Sequence, residues 1–87
     1  MPALFLSVSV FAAERTKMEI NAREIGQRIR ALRMERGLTQ QELAYELNVS
    51  LSAVSKIEQG KRVPSVDMFA LLTDALQTTI DYMVLGR

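Results

Sequence analysis

Between Thr39 and Gly60 the chain reads TQQELAYELNVSLSAVSKIEQG, and this stretch leaves little room for anything except two short helices. Thr39 followed three residues later by Glu42 is a capping box, and Leu38 and Leu43 stand where a hydrophobic staple would join them. Leu43, Ala44 and Leu47 then repeat at helical spacing and face inward. Asn48 ends this helix, because Asn is the residue after Gly that best tolerates the left-handed stop such an ending needs. Two residues on, Ser50 is placed to cap a second helix, with Ala53, Val54 and Ile57 inward and Gly60 as its stop.

The same punctuation extends in both directions. Asn21 with Glu24 three residues later opens a helix whose apolar stripe is Ile25, Ile29 and Leu32, and Gly37 stops it. Pro64 and Ser65 open a fourth helix along Val66, Phe69, Ala70, Leu72 and Leu76. Thr78, with Asp81 three residues later, opens a fifth that ends at Gly86. Five short helices joined by short loops predict an all-α domain over residues 21–87.

Residues 1–20 form a separate arm. ALFLSVSVFAA alternates with a period of two and carries no charge until Glu14, which reads as an extended strand. The run lacks a positive residue ahead of it, as a signal peptide would have, and is too short to span a bilayer as a helix. A lone apolar strand exposes unpaired backbone groups, so an antiparallel ribbon with a second copy is the expected use of the arm. Packing along its own domain, or a natural start at Met18, are the open alternatives.

Composition narrows the chemistry. The 87 residues contain no Cys and no His, which removes thiolate chemistry, disulfides, the commonest general base and the commonest neutral metal ligand. With no Gly-rich phosphate loop and no paired inward carboxylates, no catalytic residue, metal site or cofactor is read. Net charge is only +1, but it is unevenly spread. From Arg23 to Arg62 eight Lys or Arg face five Glu, whereas from Val63 to Arg87 three Asp face one Arg. A basic middle and an acidic end fit a polyanion held by one face, and fit ordinary solvated surface as well.

On the third helix, Leu51, Ser52, Ser55, Lys56 and Gln59 fall within one arc, opposite Ala53, Val54, Ile57 and Glu58. Small hydroxyls, an amide, a cation and one exposed leucine can reach base edges and thymine methyls. Taken alone, that arc fits a solvated face equally. The spacing decides between them: a short helix, a tight stop and a second short helix make a helix-turn-helix, whose second helix enters the major groove.

LTQQELAYELNVSLSAVSKIEQGKRVPS resembles the helix-turn-helix of the phage repressor and Cro-like (XRE) family over roughly Ile25–Gly86. Gln40, Leu43-Ala44, Val49-Ser50, Ile57-Glu58, Gly60-Lys61 and Pro64 fit its pattern in order. Asn48 replaces the family's usual turn glycine, and Gln59 its usual Asn. The resemblance implies base contacts by Leu51, Ser52 and Lys56, with Ser55 beside them. It implies DNA-backbone contacts by Ser50, Gln59 and Lys61, with Thr39 and Gln40 at the start of the second helix. Arg33 and Glu58 match a pair that ties the first helix to the recognition helix. Arg28, Arg30 and Arg36 read chiefly as a solvated face, with long-range phosphate attraction as the alternative, and Tyr45 is exposed by periodicity.

The expected function is that of a dimeric, sequence-specific regulator of transcription, most simply a repressor on a palindromic operator. Its partners are double-stranded DNA and a second copy, paired through the arm or the closing helices (Phe69, Leu72, Ile80, Tyr82, Met83, Leu85). The expected location is the cytoplasm, on the nucleoid, away from membrane. The alternative is an antitoxin or other interaction module whose arm docks on a partner protein.

Overall fold

The computed structural model describes residues 20–87. The strand expected in the N-terminal arm lies outside the described residues. Five helices follow one another: α1 Ala22–Glu35, α2 Gln40–Leu47, α3 Leu51–Glu58, α4 Val66–Leu76 and α5 Ile80–Leu85. The all-α prediction holds, and every helix starts on a polar cap. Asn21, Thr39, Ser50, Ser65 and Thr79 each accept a hydrogen bond from the backbone N–H three residues on. This satisfies one of the amides that the first turn of a helix leaves without an internal partner.

Two sequence expectations are corrected. The fifth helix is capped by Thr79, not Thr78; Thr79 Oγ1 accepts from Tyr82 N at 3.0 Å. That one-residue shift follows from how the preceding helix ends. Gln77 takes up a left-handed conformation (φ 54°, ψ 53°), and the Thr78 N–H donates back to Thr73 O, so Thr78 still belongs to the closing turn of α4. In α4, Val66 is 81% exposed and Ala70 is exposed as well; Phe69, Leu72 and Leu76 are buried, with Met68 and Ala75 packed partly buried against the core. Val66 is the first residue of the helix, before the chain has turned toward the core.

The core gathers Ile25 and Ile29 from α1, Leu43, Ala44 and Leu47 from α2, Val54 and Ile57 from α3, Phe69, Leu72 and Leu76 from α4, and Met83 from α5. Burying a side chain of this size contributes about 1.5–3 kcal/mol relative to exposure. Helix α1 packs against α3 and α5, and α2 against α3 and α4. The α1–α3 approach is set by Gly26. A Cβ there would lie 2.3 Å from Ile57 O and 2.8 Å from Glu58 O, so only glycine lets the two backbones come this close.

Candidate nucleic-acid interface

The turn between α2 and α3 is built on Asn48, which is left-handed (φ 56°, ψ 47°). Its N–H donates to Tyr45 O at 3.1 Å, and the Val49 N–H donates to Ala44 O at 3.0 Å. The carbonyls left open at the end of α2 are thereby satisfied inside the turn. Ser50 Oγ then accepts from Ala53 N at 3.1 Å and starts α3. Three residues thus redirect the chain between two eight-residue helices.

Helix α3 has two unlike faces. Val54, Ile57 and Glu58 are buried. Leu51 is 47% exposed, and Ser52, Lys56 and Gln59 are exposed beside it. Ser55 is half-buried at the edge of the arc, where its Oγ accepts from Gln59 Nε2 at 2.7 Å. This bond uses a lone pair of Ser55 and leaves its hydroxyl hydrogen free to turn outward. The structure therefore brings Leu51, Ser52, Ser55 and Lys56 to one surface, flanked by Ser50 at one end and by Gln59 and Lys61 at the other.

Behind that surface sits a buried polar cluster. Glu58, 7% exposed, receives Arg33 Nε on Oε2 at 2.6 Å and Arg33 Nη2 on Oε1 at 3.0 Å. Arg33, 8% exposed, also donates through Nη1 to Leu38 O at 2.7 Å. Gln40 Nε2 donates to Glu58 Oε1 at 3.0 Å. One carboxylate at the end of α3 thus ties together α1, the loop before α2 and the first residue of α2. No buried side-chain nitrogen or oxygen among the described residues lacks a partner. Such a cluster fixes orientation more than it adds net stability, since desolvation offsets much of the attraction.

At the start of α2 the capping box is complete. Thr39 Oγ1 accepts from Glu42 N at 3.1 Å, and Glu42 Oε1 accepts from Thr39 N at 2.8 Å. The Thr39 backbone N–H, seconded by its side chain, holds the Glu42 carboxyl below its ordinary value. Gln40 spends one amide hydrogen on Glu58 and keeps a second for an external acceptor.

Two arginines that read as solvated surface are braces instead. Arg28 Nη1 donates to Met83 O at 3.2 Å and Val84 O at 2.9 Å, and its Nη2 lies 3.8 Å from Glu24. Arg36 Nη1 donates to Ala75 O. Each closes carbonyls near the end of a later helix, as a cation at a helix C-terminus favours. These partners lie 55, 56 and 39 residues away in sequence, beyond what local spacing can show. Gly26 also escapes a reading by periodicity, although a glycine within a helical run is itself a sign of close approach. Tyr45 is 88% exposed, as its spacing predicts.

Among the described residues no group of three or more carboxylates, Cys or His could hold a metal. No described helix is long and apolar enough to cross a membrane.

The helix-turn-helix family HTH_3 matches residues 29–83. The chain is 35% identical over 64 residues to the HTH-type transcriptional activator BcrR of Enterococcus faecalis, covering 74% of this chain and 31% of BcrR. It thus spans less than a third of that relative's length. Among solved structures, the P22 c2 repressor protein in complex with synthetic operator 9T superposes with a TM-score of 0.70 at 33% identity, covering 72% of this chain and 96% of that one. The restriction-modification controller protein C.AhdI from Aeromonas hydrophila superposes with a TM-score of 0.67 at 32% identity, covering 71% of this chain and 94% of that one. Capped helices, a left-handed turn, an outward polar arc and these matches agree: the chain belongs to the HTH_3 helix-turn-helix family, the XRE-type group of repressor-like regulators.

Proposed function

We propose that this chain is a sequence-specific DNA-binding regulator of transcription that acts as a dimer, most simply as a repressor at a palindromic operator. The observation that carries this reading is the two-faced α3, clamped from behind through Glu58 while Leu51, Ser52 and Lys56 point outward. In a major groove Lys56 would donate to guanine O6 and N7. Ser52 and Ser55 would bond either donors or acceptors, and Leu51 would lie on a thymine methyl. Ser50, Gln59 and Lys61, with Thr39 and the free hydrogen of Gln40, would hold phosphates on either side and set the register. A similar chain, the P22 c2 repressor, is solved on an operator, which supports the same use here. The corresponding place of action is the cytoplasm, on the nucleoid.

One α3 reads only a few base pairs, so specificity requires two half-sites about one helical turn apart. Phe69, Leu72 and Met83 are spent in the core, which leaves Ile80 (43% exposed) and Tyr82 (38%) as the apolar surface of α5 for pairing. The N-terminal arm is the other candidate. The deciding experiment selects bound duplexes from a random pool, with the full chain and with Met1–Lys17 deleted. A palindrome from the full chain that decays to half-sites on deletion assigns the dimer to the arm, and the same palindrome from both assigns it to α5. Absence of any enriched sequence overturns the proposal and points to a protein partner.

A further inference from the structure

Beyond the motif, a basic edge forms where α1 meets the end of α3. Gly60 follows α3 with φ +79°, and a Cβ on it would lie 2.7 Å from Arg23 Cα and 3.2 Å from Arg23 Cβ. The first turn of α1 is thus pressed against the loop that carries Lys61 and Arg62. That loop also folds back on α3, because the Lys61 N–H donates to Lys56 O at 2.9 Å. Four exposed cations stand on these adjoining segments: Arg23 in the first turn of α1, Lys56 in the last turn of α3, and Lys61 and Arg62 in the loop after it. None of them forms an ion pair among the described residues; those pairs are Arg28–Glu24 and Arg33–Glu58. The carboxylate at the end of α3, Glu58, is buried and already taken by Arg33 and Gln40.

Arg23 is the informative member. It is the second residue of α1, where the helix dipole disfavours a cation, so the stability of α1 does not account for it. The α3 C-terminus beside it carries partial negative charge that would repel an approaching phosphate, and the cations reverse that sign. Unpaired like charges on one edge repel one another, and a polyanion relieves the repulsion.

We infer that Arg23 and Arg62 are phosphate-binding residues, so that α1 and the loop after α3 extend the DNA-backbone interface past the helix-turn-helix. A guanidinium offers a planar pair of donors to a phosphodiester. The inference rests on the DNA-binding reading above and assigns it two further residues.

The test uses the full chain and two duplexes, the sequence recovered by selection and an unrelated one. Affinity is measured against salt concentration for the wild type, Arg23→Gln, Arg62→Gln, Arg23→Lys and Arg30→Gln, with a melting temperature for each. Arg30 is equally unpaired but stands two turns further along α1. Each Gln substitution at 23 or 62 should weaken both duplexes by the same factor. It should also flatten the log–log salt slope by about 1 for each phosphate that is no longer neutralised. Arg23→Lys should keep the slope, as should Arg30→Gln. Gln variants with the wild-type slope, with or without a lowered melting temperature, overturn the inference and leave the DNA reading intact. Equal flattening by Arg30→Gln reassigns the effect to net charge and overturns it too. Failure of the wild type to bind either duplex overturns the DNA reading itself.

Discussion

Single residues on and behind α3 should fail in different ways. Lys56 lies in the outward arc and Lys61 just past the helix. Lys56→Ala is expected to lose about 1–3 kcal/mol of discrimination at one position of each half-site, whereas Lys61→Ala should weaken all duplexes alike. Competition binding against single-base operator variants separates the two, and identical uniform losses would remove Lys56 from the base-reading set. Glu58→Ala acts from behind the surface. It strands the buried Arg33 guanidinium and removes the acceptor of Gln40. Breaking a buried pair on one side typically costs about 3–5 kcal/mol. Replacing both partners by apolar residues, Arg33→Met with Glu58→Leu, should cost much less in urea denaturation while still impairing DNA binding. Retained binding by that double variant would show that the cluster does not orient α3.

At the scale of the element, the caps decide where helices begin and end. Asn48 and Gln77 are both left-handed, at φ 56° and 54°. Asn48→Ala should cost about 1 kcal/mol, because a Cβ without a polar partner is penalised there, and Gln77→Gly should gain a similar amount. Shifts of the urea midpoint in opposite directions would confirm both. The α2 capping box adds a pH dependence. Folding depresses the Glu42 pKa below its ordinary 4.5. Its contribution is therefore complete above that value and is lost as the pH falls through the lower folded value. Glu42→Gln, which takes away the titrating carboxyl, should remove this part of the acid sensitivity, and an unchanged pH profile would deny it.

These elements also show what sequence reading reaches. The caps at Asn21, Thr39 and Ser50 and the stop at Asn48 are legible because each bond spans only three or four residues between recognisable partners. Gln77 is not, since nothing in its own chemistry favours φ above zero, and without it the next cap falls on Thr78 instead of Thr79. Arg28 and Arg36 are obscure for a different reason. An arginine on a helix looks the same in sequence whether water or a distant carbonyl receives it. The outward arc of α3 is legible as periodicity, but its distinction from plain solvated surface comes from the turn beside it.

For the whole molecule, the arginines of α1 and of its cap reach the ends of three later elements: Arg33 at Glu58, Arg36 at Ala75, and Arg28 at Met83 and Val84. Helix α3 is therefore tied to the same first helix that braces the ends of α4 and α5. A dimer that neutralises on the order of eight phosphates should show a log–log salt slope of about −7. Titrations between low and moderate salt measure it, and a slope near zero would remove the electrostatic basis of binding. The division of α3 into a buried face and an outward one also bears on descent. Leu51, Ser52 and Lys56 make no contribution to the core, and Ser55 contributes one local bond. After a gene duplication these positions can drift while both copies still fold. Under the proposed DNA-binding function, new operator preferences would then arise by exchange of a few side chains on an inherited frame.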